Sequence, residues 1–338
     1  MGELTFWIAG IMLIALTIYA LGGGADFGGG VWDILARGPR KNAQRELIAN
    51  AIGPIWEANH VWLILVVVLL FVAYPAAFAA ISIALHIPLT ILLIGIVLRG
   101  SAFTFRTYDQ PGSSHRRWGR VFAIASVISP IMLGICVGAI ASSRIHAHHA
   151  GAWVAKDFLS SWMAPFPWAI GGLTLSLFAF LAAVYLSVEA ADDALKNDFR
   201  VRGLGAAIAV GVMAWLSFLL ARNGAPGIRQ GLASSFWAVP FQILTAAIAL
   251  GAMTALWKKK FRLARALAIA QVTLVIWGWG LAQFPFAVPP DLTFYNAAAP
   301  VSVLRLLLIA LAAGALVLFP SLAYLYAIFK GHLARRPE

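Results

Sequence analysis

Residues 6–35 read FWIAGIMLIALTIYALGGGADFGGGVWDIL, and this stretch decides the class of fold. Its first part is an apolar run without a charged side chain, and about 20 such residues are what a helix needs to cross the hydrocarbon of a bilayer. No basic region precedes it, and the run exceeds the apolar core of a cleavable signal peptide, so a retained first span is predicted over 4–24. The second part is anomalous. Six glycines and one aspartate fall between Gly22 and Gly30. Glycine is a poor helix former, and a carboxylate at a membrane helix centre costs about 2.5–3.5 kcal/mol on insertion scales.

The rest of the chain extends the first part. Of 338 residues, 62% are hydrophobic and 11% charged, with a mean hydropathy of +0.86, whereas soluble domains carry about 25% charged residues. Runs long enough to cross are predicted over 4–24, 52–73, 77–98, 121–141, 164–187, 204–222, 237–257, 263–283 and 303–329. The expected fold is an all-α polytopic integral membrane protein of about nine transmembrane helices, a single transmembrane domain over 1–338 with no soluble domain. All but five of the 25 Lys and Arg residues sit in alternate connections or the C-terminal tail: Arg37 to Arg45, Arg99 to Arg120, Lys196 to Arg202, Lys258 to Arg265, and Lys330 to Arg336. The bias of basic residues toward the cytoplasm then places the N-terminus outside and the C-terminus inside. The net charge of +12 is explained by that topology, without nucleic acid. A single cysteine, Cys136, excludes an intrachain disulfide, and Cys-rich metal motifs are absent.

Acidic residues deep in spans carry the most information. Asp26 stands 11 residues before Arg37, and Glu57 stands 12 residues after Arg45. On continuous helices both carboxyls lie roughly 16–18 Å above the basic boundary, at matching depth on neighbouring antiparallel helices. A desolvated carboxyl can exchange protons near neutral pH. Glu57 is therefore the main proton-relay candidate and Asp26 the second. The plainer alternative is that either acid is satisfied by a hydrogen bond from Asn59, Trp56 or Trp62, or lies in a water layer at headgroup level. Asp33, closer to Arg37, is expected at the membrane interface. Gly24 and Gly28 form a GxxxG pair, and the remaining glycines bare the other faces, which lets backbones approach closely and keeps bulk water from Asp26.

On the second span, GPIWEANHVW crowds Trp56, Glu57, Asn59, His60 and Trp62 into seven positions. His60 and His86 are read as intramembrane histidines held by hydrogen bonds. HAHH, His146 to His149, is read as a solvated outer loop, with chelation of a divalent ion as the alternative. No metal site is predicted.

GGGADFGGGVWDIL, the basic loop after it and IGPIWEANHVWLI together resemble the second subunit of the cytochrome bd family of quinol oxidases, its cyanide-insensitive branch included. The family's glycine-flanked aspartate on helix one matches Gly24, Asp26, Gly28 and Gly30. Its cluster on helix two matches Trp56, Glu57, Asn59, Val61 and Trp62. The resemblance implies a subunit of a terminal oxidase of aerobic respiration in the bacterial cytoplasmic membrane, which takes electrons from ubiquinol or menaquinol and reduces O2 to water. It implies that haem b and haem d belong to a partner, subunit I, and that no cofactor is held by this chain. Its roles would be to stabilise that partner and to help deliver cytoplasmic protons. A small single-helix subunit, membrane lipid and quinol complete the implied partners. Gly23 and Thr104 depart from the pattern, since some relatives carry acids there, and His60 stands where relatives can have Gln. Two other classes use the same residues. A proton-coupled secondary transporter would need Gly22–Gly30 as a helix break at a substrate cavity, and a purely structural assembly subunit would use the buried polar groups for packing.

Overall fold

The computed structural model describes residues 2–52, 56–108, 113–146 and 159–330. These form twelve helices and one short hairpin, in the order α1 (Gly2–Ile34), α2 (Lys41–Ile52), α3 (Trp56–Ala73), α4 (Pro75–Ala84), α5 (His86–Tyr108), α6 (Ser113–Ala141), α7 (Pro165–Glu189), α8 (Asp193–Gly224), α9 (Pro226–Ser234), α10 (Ala238–Trp257), α11 (Phe261–Gln283), β1 (Phe286–Val288), β2 (Leu292–Thr293) and α12 (Val301–Lys330). Among the described residues, eight helices are long and apolar enough to cross a membrane, and α3 and α4, bent at the break between them, pass the same test only as a pair. The chain is thus a polytopic helical membrane protein.

The main departure from hydropathy lies after Tyr74. The apolar stretch from Pro75 to Phe105 runs for about 30 residues, half as long again as one span requires, and the prediction laid the third span over its first part, 77–98. Pro75 instead starts a separate short helix, at a position where its missing N–H is not needed. This helix bends 118° away from α3 and ends at Leu85. The spanning helix is α5, displaced about ten residues along the chain relative to the predicted span. His86 consequently sits at the exposed start of α5, at the end of the candidate span, with Nδ1 2.9 Å from the Ile83 carbonyl. Arg99, assigned to a basic loop from the sequence, lies inside the helix and is only 2% exposed. Thr104 is also helical, its hydroxyl donating to the Gly100 carbonyl at 3.1 Å.

α1 is the central element, packed on α3, α6 and α7. It remains one helix through all six glycines to Ile34, ten residues beyond the end of the predicted span. The α6–α7 crossing is made by another small-residue seam: a Cβ at Gly138 would lie 2.7 Å from the Cα of Pro167, and one at Gly134 would lie 2.7 Å from the Cα of Gly171. Packing of this kind drives association where lipid removes the hydrophobic incentive. α12 touches chiefly α1 and α3 and leaves most of its apolar surface uncovered.

Polar contacts tie the basic end together. Asp33, expected at the membrane interface, is 2% exposed and stands among basic-end arginines, with Arg106 of α5 at 3.3 Å and Arg45 of α2 at 3.7 Å. Arg40 meets Asp198 of α8 at 2.5 Å, Gln44 donates to the same carboxylate at 2.8 Å, and Arg202 donates to Gln44 at 2.7 Å. The amphipathic α2 is thereby clamped across the ends of α1, α5 and α8.

Candidate functional site

Asp26 is buried in α1 at 6% exposure. Asn59 of α3, 3% exposed, donates its Nδ2 to Asp26 Oδ2 at 2.5 Å. Gly22 makes this contact possible, since a Cβ there would lie 2.5 Å from Asn59 Oδ1. The other glycines admit other neighbours. A Cβ at Gly24 would lie 2.6 Å from the Phe178 ring of α7. One at Gly28 would collide with the Phe178 carbonyl oxygen and lie 2.8 Å from the Ala182 Cβ, and one at Gly30 would strike Ser126 of α6. The run therefore serves α3, α6 and α7 at once. Trp32 Nε1 donates to the Ala179 carbonyl at 2.8 Å and fixes α1 on α7 one turn further on.

Arg99 completes the site, and sequence reasoning missed it. Its guanidinium stands 4.7 Å over the Phe27 ring and 5.3 Å from the Phe122 ring, an arrangement worth roughly 2 kcal/mol when desolvated. Asp26 and Tyr19 are its electrostatic partners. The Arg99 Nε and Nη2 and the Tyr19 hydroxyl make no hydrogen bond among the described residues. His60 is half-buried, with ring centroids 5.9 Å from Tyr19 and 6.2 Å from Phe27. A carboxylate, a guanidinium, an amide, a phenol and an imidazole thus gather where α1, α3 and α5 meet. The signal for Arg99 was the length of the Pro75–Phe105 run, which leaves room for a corner before the true span.

Glu57 is placed differently. It lies on the first turn of α3 and is exposed, and the contact from α3 to Asp26 is made by Asn59. Residues 53–55, between α2 and α3, lie outside the described residues, and so does the depth count from Arg45 to Glu57 that runs through them. Trp62 is 8% exposed, with its ring 6.4 Å from Phe319 of α12. The side chain of Trp56 and the whole of His148 and His149 lie outside the described residues. His146 is exposed, with Nδ1 3.3 Å from Asp291 Oδ2. No group of three or more His, Cys, Asp or Glu suited to a metal occurs among the described residues.

A cavity of about 400 Å³ adjoins the buried pair. Gly22, Ala25, Asp26 and Asn59 form one part of its wall, and Ala182, Tyr185, Glu189 and Arg265 form another. It joins the interior acid to an ion pair near the basic end, where Arg265 is 3.9 Å from Glu189. Chemically, the arrangement offers a buried carboxyl held by an amide, a buried guanidinium within electrostatic reach of it, and a largely apolar-walled cavity that runs from the carboxyl to the Glu189–Arg265 pair.

Comparison with known proteins places this geometry in a family. The sequence model described as "Cytochrome bd terminal oxidase subunit II" matches residues 4–329. The "Cytochrome bd ubiquinol oxidase subunit 2" of Bacillus subtilis is 28% identical over 46% of the chain and 45% of that relative. The "Cytochrome bd-I ubiquinol oxidase subunit 2" of Escherichia coli is 27% identical over 39% of the chain and 34% of that relative. These alignments span less than half the length of either relative. The "Putative cytochrome bd menaquinol oxidase subunit II" of Bacillus subtilis aligns at 23% identity over 92% of the chain and 91% of that relative. In fold, the chain is similar to the solved bd oxidase from Geobacillus thermodenitrificans, with a TM-score of 0.80 at 20% identity over 98% of this chain and 99% of that one.

Proposed function

The chain belongs to the family of cytochrome bd terminal oxidase subunits II, and from that premise we propose that it is the haem-free second subunit of a bacterial quinol oxidase, stabilising a haem-bearing subunit I and helping to deliver protons to it. The haems b and d of that partner supply electron transfer from ubiquinol or menaquinol and the reduction of O2. Two histidines, His60 and His86, stand on the spanning segments. His60 is flanked by the rings of Tyr19 and Phe27, and His86 is engaged with a carbonyl at an exposed helix start.

The observation that carries the proton role is the buried Asp26–Asn59 contact beside Arg99, on the wall of a cavity that reaches the basic end. Reduction of each O2 to water consumes four protons, and an acid set inside the membrane shortens their path. Asn59 orients the Asp26 carboxyl, Arg99 balances its charge, and the bare faces of Gly24 and Gly28 seal it against α7. Glu57, exposed on the first turn of α3, is the second acid of the relay and acts at the boundary with the partner. By the bias of Lys and Arg, the basic end faces the cytoplasm. α1 does not support the transporter alternative, since no helix break occurs between Gly22 and Gly30.

The test is purification of the tagged chain from its native membrane. A haem-bearing partner with b and d signals in the reduced-minus-oxidised spectrum is expected to copurify, while the chain produced alone stays colourless. A colourless chain from a preparation in which the oxidase remains assembled would overturn the assignment. In the assembled complex, Glu57→Gln is expected to keep full haem content and to lower oxygen uptake by about tenfold or more. Unchanged turnover across the pH range would remove Glu57 from the relay.

A further inference from the structure

The cavity beside Asp26 has a second carboxylate at its far end. Glu189 is the last residue of α7, 38% exposed, with Arg265 of α11 at 3.9 Å. α1 and α7 run parallel, because Gly24 and Gly28 meet Phe178 and Ala182 in the same order. Asp26 therefore lies about 13 Å along the bundle axis from the level of Glu189, at 1.5 Å per residue. A volume of about 400 Å³ holds roughly a dozen waters at ~30 Å³ each. A file of four or five waters about 2.8 Å apart is enough to bridge the two carboxyls.

Among the side chains lining this cavity, those with an ionisable group are Asp26, Tyr185, Glu189 and Arg265. Arg265 keeps its protons at any physiological pH, and its guanidinium sits 5.0 Å from the Tyr185 ring. Glu189 is thus the lining group at the basic end that can exchange a proton with bulk water. Lys196, Lys259, Lys260 and Arg262 line the adjoining cleft beyond Ser187 and Val188. At the inner end Asp26 faces Asn59, Arg99 and Tyr19, with His60 beside them.

We propose that Glu189 is the cytoplasmic entry carboxylate of the path to Asp26, and that Arg265 is the residue that positions it. This rests on the role proposed above for Asp26. A proton from hydronium or a buffer acid binds a Glu189 carboxylate oxygen. It then leaves into the water file while Arg265 keeps its own protons, and hydrogen-bond exchange along the file delivers one proton to Asp26. Asp26 releases it toward the partner, and both carboxylates return to their starting state, so the net change is the movement of one proton.

The experiment compares oxygen uptake by the assembled complex between about pH 6 and about pH 9, where bulk protons become scarce, for the Glu189→Gln, Glu189→Asp and Asp26→Asn variants at equal haem content. Glu189→Gln is expected to match the parent at the acid end and to fall about tenfold below it at the alkaline end, with Glu189→Asp restoring most of the rate. A purely structural role for the Glu189–Arg265 pair would lower the rate equally at every pH, and that result overturns the inference. A normal Glu189→Gln profile beside an impaired Asp26→Asn also overturns it and leaves the role of Asp26 standing. Normal profiles for both variants overturn that role as well. Should Glu189→Gln fail to assemble, Ala51→Phe narrows the cavity from the α2 side of its wall and leaves both carboxylates in the sequence. It is expected to show the same alkaline loss, and a parental profile contradicts the proposal.

Discussion

Gly28→Ala is expected to remove the assembled complex from the membrane. The added Cβ would collide with the Phe178 carbonyl oxygen and lie 2.8 Å from the Ala182 Cβ. A carbonyl in the middle of α7 cannot rotate aside as a side chain could, so α1 itself has to move. That movement is opposed on its other faces, because Gly22 and Gly30 hold α1 close to the side chains of Asn59 and Ser126. Overpacking where side chains can yield costs about 1–3 kcal/mol, and a backbone obstacle on the central helix is expected to exceed that. Quantitative blotting of membranes checks it, with Gly119→Ala as the control, since nothing lies within 4 Å of a Cβ at Gly119. Normal levels of both variants would mean that the α1–α7 contact is looser than the structure has it.

Arg99→Leu is the second large effect. Arg99 and Asp26 are both buried and interact electrostatically, and leaving one buried charge without its counter-charge is strongly destabilising. Loss of the cation between the Phe27 and Phe122 rings adds to this. The distinguishing measurement is a double-mutant cycle on thermal stability of the purified complex. Arg99→Leu alone is expected to destabilise strongly, and adding Asp26→Asn is expected to recover part of the loss by removing the stranded charge. If the two effects simply add, the pair is not coupled, and Arg99 is held by its aromatic neighbours alone.

The residues differ in how far their places could be read from sequence. Repeated apolar runs of about 20 residues and alternating basic connections give the class of fold, because lipid demands that every backbone polar group be satisfied within a helix. The burial of Asp26 was legible for the same reason, together with the glycines around it. Their division of labour among α3, α6 and α7 was not, since a bare face says that something approaches closely without saying what. Pro75 marks a break by its own chemistry, but the second break, at Leu85, escaped because α4 is as apolar as a true span and hydropathy does not register a break within an apolar run. Arg99 was misplaced as a consequence. Glu57 shows a different limit: hydropathy reports depth and not direction, and a surface facing another membrane subunit has the same composition as one facing lipid. Glu189 carried no sequence signal of its own. It stands beside a cluster of acids and bases at a helix end, and only the cavity singles it out.

The most direct test of the proton role is steady-state oxygen uptake by the purified complex carrying Asp26→Asn, at haem content equal to the parent. The amide keeps the size of the side chain and can still bond to Asn59, but it cannot carry a proton. Turnover is expected to fall about tenfold or more, with the haem spectrum unchanged. Parental turnover in a fully haem-loaded Asp26→Asn complex would contradict a proton path through this chain's buried acid and leave it a structural subunit.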